Sequence, residues 1–124
     1  MIIINNELLY SLSIQAKENS VLLAKYNFQN PEISTLNKTL KVMEKGCVTS
    51  VEHHNAGTLT ILLLKGRLKV NFYNADKGMS EEIFLDPKVG IYGIDISEER
   101  WYNIEVLDDN TVVFKIKTIE LCAE

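Results

Sequence analysis

The sequence predicts an all-β domain, an antiparallel sandwich or barrel, preceded by a single N-terminal helix. Two observations carry this. From Ser34 onward the chain is a series of short β-prone runs separated by turn residues, about eight in all. Before them, Leu8, Leu12 and Ala16 recur at i, i+4 and i+8, the spacing of one helix face. With 124 residues and no internal repeat or composition shift, the chain is expected to be one domain, 1–124, with a helical segment over 1–20 and a β-barrel over 34–117.

The helix begins at Asn5 or Asn6, both good N-cap residues, and Glu7 sits where the helix dipole favours an anion. Leu9 widens the apolar stripe, and "ENS" at 18–20 ends it. "VLLAKYNF" is extended and "QNPE" breaks it at Pro31. "TLNKTLKVM" follows, with Lys45-Gly46 as a turn. "CVTSVEHH" and "TLTILLLK" are two further strands separated by "NAG". "RLKVNFY" alternates cleanly, with Leu68, Val70 and Phe72 on one face. "NADKG" reads as a hairpin loop. "SEEIFL", "GIYGIDI", "YNIEVL" and "TVVFKIK" complete the set, with "LDDN" as the last tight turn.

In "TLTILLLK" both faces are apolar: Leu59, Ile61 and Leu63 on one, Leu62 and Leu64 on the other. One face fills the barrel. The other needs cover from the N-terminal helix or from a second subunit, so a homodimer is one expectation.

Composition excludes several classes of function. Apolar residues make up 46% and charged residues 24%, ordinary for a globular protein. The net charge is −4 and the only arginines are Arg67 and Arg100, with no basic block, so nucleic acid is not an expected partner. A phosphorylated small ligand stays open, because a local pocket can oppose the net charge. Cys47 and Cys122 form no C-x-x-C motif and are expected to be reduced thiols. "MIIINNELLY" has no basic n-region or long h-region, and no run reaches the length of a membrane span. A cytoplasmic protein without membrane attachment is expected. P-loop, G-x-G-x-x-G, G-x-S-x-G and H-E-x-x-H motifs are all absent.

The chemistry-bearing stretch is "CVTSVEHHNAGTLTILLLKG". In a strand, Glu52 and His54 share one face and His53 takes the other. Inward-facing, Glu52 and His54 need polar partners; His53 then faces outward.

The spacing from Gly46 through Glu52 and His54 to Gly66 resembles the first cupin motif, G-x5-H-x-H-x(3,4)-E-x6-G. "GIYGIDISEERWYNI", residues 90–104, resembles the second. The order of "NNELLYSLSIQA", "KYNFQ", "TLKVMEKGCV", "KGRLKVNFYNADKG" and "GIDI" is similar to that of WbuC-type cupin-fold proteins. "LDPKVGIYGIDISEERWYNI" also resembles the nucleotide-sugar 3,4-ketoisomerases, which are cupins too. The resemblance implies a double-stranded β-helix, or jelly-roll, barrel. It further implies a saccharide- or nucleotide-sugar-binding or accessory protein of bacterial surface-polysaccharide metabolism.

The departures bear on chemistry. The two histidine positions of the first motif hold Glu52 and His54, its glutamate position holds Leu59, and the last histidine position holds Tyr102. No cofactor is therefore expected, and the motif reads as a degenerate metal site. The alternative is a divalent metal or iron held by Glu52 and His54, with Tyr102 as a phenolate. Ionising a tyrosine at neutral pH costs about 4 kcal/mol unless the metal offsets it. Without a metal, Glu52, His54 and Tyr102 are expected to converge at the barrel mouth. His54 and Tyr102 are then candidate proton-transfer groups of a sugar isomerase or epimerase. Leu59, Tyr92, Asp95 and Trp101 are the remaining candidate pocket residues, and Arg67 and Arg100 the candidate phosphate clamps.

Overall fold

The computed structural model describes residues 1–28, 36–54 and 57–118. The "QNPE" breaker, most of "NAG" and Cys122 lie outside the described residues.

Helix α1 spans Asn6–Glu18. Its N-cap is Asn5, whose side-chain oxygen accepts the Leu8 N–H at 3.0 Å. Glu7 in the first turn and Lys17 in the last complement the helix dipole. Nine strands follow among the described residues: β1 Leu23–Phe28, β2 Leu36–Met43, β3 Glu52–His54, β4 Leu59–Lys65, β5 Leu68–Tyr73, β6 Met79–Leu85, β7 Gly93–Ile96, β8 Arg100–Val106 and β9 Thr111–Thr118. They form two antiparallel sheets, one ordered β1-β2-β9-β4-β7 and the other β3-β8-β5-β6. The predicted strand over "CVTSVEHH" survives only as β3; before it, Val48 makes one isolated bridge to Glu105. The Thr49 side chain intervenes there, its hydroxyl accepting the Ile104 N–H at 2.8 Å, so side-chain bonding replaces part of a regular ladder.

The inner faces of the two sheets enclose the main core, with Met43, Leu63, Leu68, Leu85 and Val106 among its members. The outer face of the five-stranded sheet carries a second cluster. Leu12 and Ala16 of α1 are buried there against Ala24, Leu40, Val42 and Val112. A fully buried leucine of this kind contributes roughly 2 kcal/mol.

The helix lies over β1 and β2. It therefore does not cover Leu62 and Leu64 of β4, which stay 40% and 47% exposed while Leu59, Ile61 and Leu63 are buried. The expectation of helix cover fails at that strand because β9 lies between β2 and β4 in the sheet.

Gly66 makes the tight β4–β5 connection with a φ of +84°, and a Cβ there would lie 2.8 Å from the Thr111 Cα. The turn therefore demands glycine on two grounds, dihedral and space. Among the described residues no helix is long and apolar enough to cross a membrane.

Inward-facing residues change character along β2, β9 and β8, while on β4 and β5 they stay apolar. On β2 they run Met43, Lys41, Thr39, Asn37, and on β9 Val113, Lys115, Lys117. On β8 they run Val106, Ile104, Tyr102, Arg100. The pairing registers set Lys25 beside Lys41, Thr39 beside Lys115 and Asn37 beside Lys117 as a polar mouth, while on β4 the neighbours of Lys115 and Lys117 are the buried Ile61 and Leu59.

Candidate functional site

A cavity of about 380 Å³ opens at this mouth, along the inner face of β1, β2 and β9 and around the strand ends, where the outward-facing Phe28 and Lys38 also border it. Five lysines line it, Lys25, Lys38, Lys41, Lys115 and Lys117, with Asn27, Asn37 and Thr39; the single carboxylate among the lining residues is Glu52. The strands dictate this clustering. Lys25 pairs directly with Lys41 across β1 and β2, and Thr39 pairs with Lys115 across β2 and β9. On a chain of net charge −4, this is a local field of opposite sign.

Glu52 is held from two sides. The Tyr102 hydroxyl donates to its Oε2 at 2.7 Å, and the Lys115 ammonium approaches the same oxygen at 3.4 Å. Lys115 also stands 5.5 Å from the centre of the Tyr102 ring. Burial alone would raise the Glu52 carboxyl, but Lys115, Tyr102 and Lys41 together outweigh it and hold Glu52 below the ordinary carboxylate range. Burial, then the hydrogen bond to Glu52 and its charge, push the Tyr102 phenol far above its ordinary range. Tyr102 therefore keeps its proton and acts as a fixed donor. Lys41 is the deepest of the lysines. Burial, then the neighbouring Lys115 charge, bring it down to about 8, against a partial opposing pull from Glu52.

The other sequence-predicted residues lie elsewhere. His54 faces inward but is 1% exposed and does not line the cavity. Its Nε2 lies 3.1 Å from the Gly57 carbonyl, so that nitrogen donates, and Nδ1 has no protein partner among the described residues. The expected three-way convergence thus reduces to Glu52 and Tyr102, because His54 is turned to the backbone at Gly57. Leu59 is fully buried in the core. Asp95 faces the outside, accepting from the Thr60 hydroxyl at 2.8 Å, and Tyr92 is 58% exposed. Trp101 lies on the face opposite Tyr102 and stacks on His53, with ring centres 4.0 Å apart. Arg67 makes a bidentate pair with Asp108. Arg100 pairs with Glu81 and lies over the Phe72 ring. Neither arginine lines the cavity.

A divalent metal does not fit this donor set. Among the described residues no three His, Cys, Asp or Glu side chains cluster to hold one. The Glu52 oxygen that faces Tyr102 is already shared with an ammonium group, and a second ammonium, Lys41, lies beside it. A cation brought here meets like charge, whereas an anion meets the inward-facing Lys25, Lys41, Lys115 and Lys117.

The cavity's lysines are the site residues that composition and motif spacing did not reveal. Their signal is in the strands: Lys115 and Lys117 alternate with Phe114 and Ile116, so one face of β9 is apolar and the other basic.

No protein-family model and no curated protein matches the sequence. Solved structures do. KdgF from Halomonas sp. is similar over 81% of each chain, with a TM-score of 0.63 and 11% identity. A cupin superfamily protein from Desulfitobacterium hafniense is similar over 79% of this chain and 78% of its own, with a TM-score of 0.62 and 15% identity. This chain has the cupin fold. The capsular polysaccharide assembling protein CapF from Staphylococcus aureus shares the cupin fold over 79% of this chain, with a TM-score of 0.61 and 17% identity. That match spans 28% of CapF. Within this fold, positions 52, 54, 59 and 102 carry a carboxylate held by a phenol, a histidine bonded to backbone and a core leucine, with lysines supplied by β1, β2 and β9.

Proposed function

We propose that this chain is a binding or accessory protein that takes an anionic saccharide, a nucleotide sugar foremost, in its barrel mouth. The setting we infer is bacterial surface-polysaccharide metabolism, in the manner of WbuC-type cupins. One observation carries the reading: five lysines and one carboxylate line a concave site on an acidic chain. The order of sequence segments shared with WbuC-type proteins supports the setting, as does the likeness of fold to a segment of a capsular polysaccharide assembling protein.

The recognition follows from the chain's own groups. Lys25, Lys115 and Lys117 pair with phosphate oxygens, each as a compact charge with several donors. Asn27, Asn37 and Thr39 supply neutral donors and acceptors for sugar hydroxyls. Glu52 keeps Oε1 available to accept from a hydroxyl, because Tyr102 and Lys115 both engage Oε2.

A melting-temperature panel tests this. Nucleotide sugars and sugar phosphates at millimolar concentration should raise the midpoint by several degrees, since a ligand at a hundredfold over its Kd adds about 2.7 kcal/mol. Neutral saccharides should do less. A flat panel, or equal shifts from neutral and anionic sugars, would remove the reading.

A further inference from the structure

We propose that Lys41 is a nucleophile, and that its amino group condenses with the carbonyl of an aldehyde or ketone that also carries a carboxylate or phosphate. This deepens the anionic-ligand reading and rests on it for the seating of the substrate's anion.

The placement of Lys41 carries the inference. It projects inward from the middle of β2, one pleat below Thr39 and one above the fully buried Met43. Lys25 stands directly across from it on β1. Lys115 of β9 is its diagonal neighbour, two residues on from Val113, with which Lys41 is paired. The carboxylate in the cavity is bonded to Lys115 and Tyr102. Crowding by neighbouring ammonium groups over an apolar floor disfavours the charged form of Lys41 and raises its share of free amine. A lysine desolvated beside a second cationic group is the arrangement that makes an amine nucleophilic. The low-lying pKa of about 8 agrees with this.

The step balances with the groups present. The neutral Lys41 Nζ attacks the carbonyl carbon; the C–N bond forms as the C=O π bond opens. The nitrogen gives up one proton and the oxygen takes one, leaving a neutral carbinolamine. Its hydroxyl departs as water on receiving a proton from the Lys115 ammonium. The product is a protonated Schiff base at Lys41 beside a neutral Lys115, so the positive charge moves between neighbours and the total is unchanged. The substrate's anion pairs with Lys25 and Lys117 at the mouth.

Reductive trapping tests this. The intact protein is treated with a limiting amount of glyoxylate and sodium cyanoborohydride near pH 7.5, and labelled lysines are mapped by peptide mass spectrometry. Lys41 should be labelled at least about tenfold faster than the exposed Lys45 and Lys77, following its larger neutral fraction. Inorganic pyrophosphate should slow the Lys41 label alone. Lys41→Arg, checked for a native circular dichroism spectrum, should lose the fast label, and Lys41→Met should do the same. Even labelling across lysines, or Lys41 no faster than Lys77, would overturn the proposal. If nucleotide sugars stabilise the protein while Lys41 is unlabelled, the nucleophile fails and anion binding stands. Fast Lys41 labelling with a flat nucleotide-sugar panel would mean the reverse.

Discussion

Tyr102 donates its hydroxyl proton to Glu52 across 2.7 Å, from β8 to the directly paired residue of β3. The pair fixes the chemistry of the barrel mouth. It holds the carboxylate charged and orients it. It also keeps the phenol protonated, which removes the phenolate that metal coordination would have required. Lys115 completes the arrangement on the same oxygen.

Removing that donor should cost little but measurably. Tyr102→Phe keeps the ring in the core and deletes one charge-assisted hydrogen bond, so a loss of roughly 1–2 kcal/mol is expected by urea unfolding at pH 7. The effect should depend on pH. Glu52 is held below its ordinary value, so its contribution is fully present above the unfolded carboxylate pKa and is lost as pH falls through the folded one. Wild type and variant should therefore converge in acid. A difference that does not shrink as pH falls through the carboxylate range would contradict the pairing.

Lys41 should show linkage of the same sign in a more alkaline window. Its folded pKa of about 8 lies below the 10.5 of a free lysine, so between those values the unfolded chain binds the extra proton. Stability from this group rises with pH across that window and is absent below it. Lys41→Met should stabilise the protein by roughly 1–3 kcal/mol at pH 7, with the gain shrinking toward pH 10. Denaturant unfolding at several pH values reads this out. Destabilisation by Lys41→Met at pH 7 would show the site is not strained by charge.

Gly66 offers a test of the fold alone. Gly66→Ala places a methyl group against Thr111 at a positive φ, and a cost of about 2 kcal/mol or more is expected. A variant as stable as the parent would contradict the close approach of Gly66 to Thr111.

Much of this architecture was legible in the sequence, and the reasons differ by element. The helix was readable because Leu8, Leu12 and Ala16 keep one period and Asn5 caps it. The β5–β6 hairpin was readable because "NADKG" separates the alternating "RLKVNFY" from a second β-prone run, and Lys77 takes a positive φ of 72° there. The lysine cluster was not. On β9 both Val113 and the Val112–Phe114 pair can serve as a core face, and nothing local decides between them. The choice is made by α1, which covers Leu40, Val42 and Val112 from outside and so turns Lys41, Lys115 and Lys117 inward. The His53–Trp101 stack was hidden for the same kind of reason: it depends on a register between strands almost fifty residues apart. His54 was found by its motif, but its partner is a carbonyl three residues on, which side-chain patterns do not encode.

Charge should govern ligand binding through particular lysines. Lys115→Gln and Lys117→Gln should each weaken nucleotide-sugar binding by about tenfold, roughly the loss of one charge-assisted contact. Lys77→Gln, on the hairpin away from the cavity, should leave it unchanged. Affinity should fall with added salt, since the contacts lie near an open mouth. Equal losses at Lys77 and Lys115 would point to non-specific attraction.

The most direct measurement is a pair of calorimetric titrations of the same protein, one with a nucleotide sugar such as UDP-glucose, the other with Mn²⁺ and Zn²⁺. Saturable binding of one nucleotide sugar per chain is expected, weakened in Lys115→Gln, with no metal bound at Glu52. One equivalent of Mn²⁺ or Zn²⁺ taken up and lost in Glu52→Gln, with no heat from UDP-glucose or inorganic pyrophosphate, would contradict the anion site.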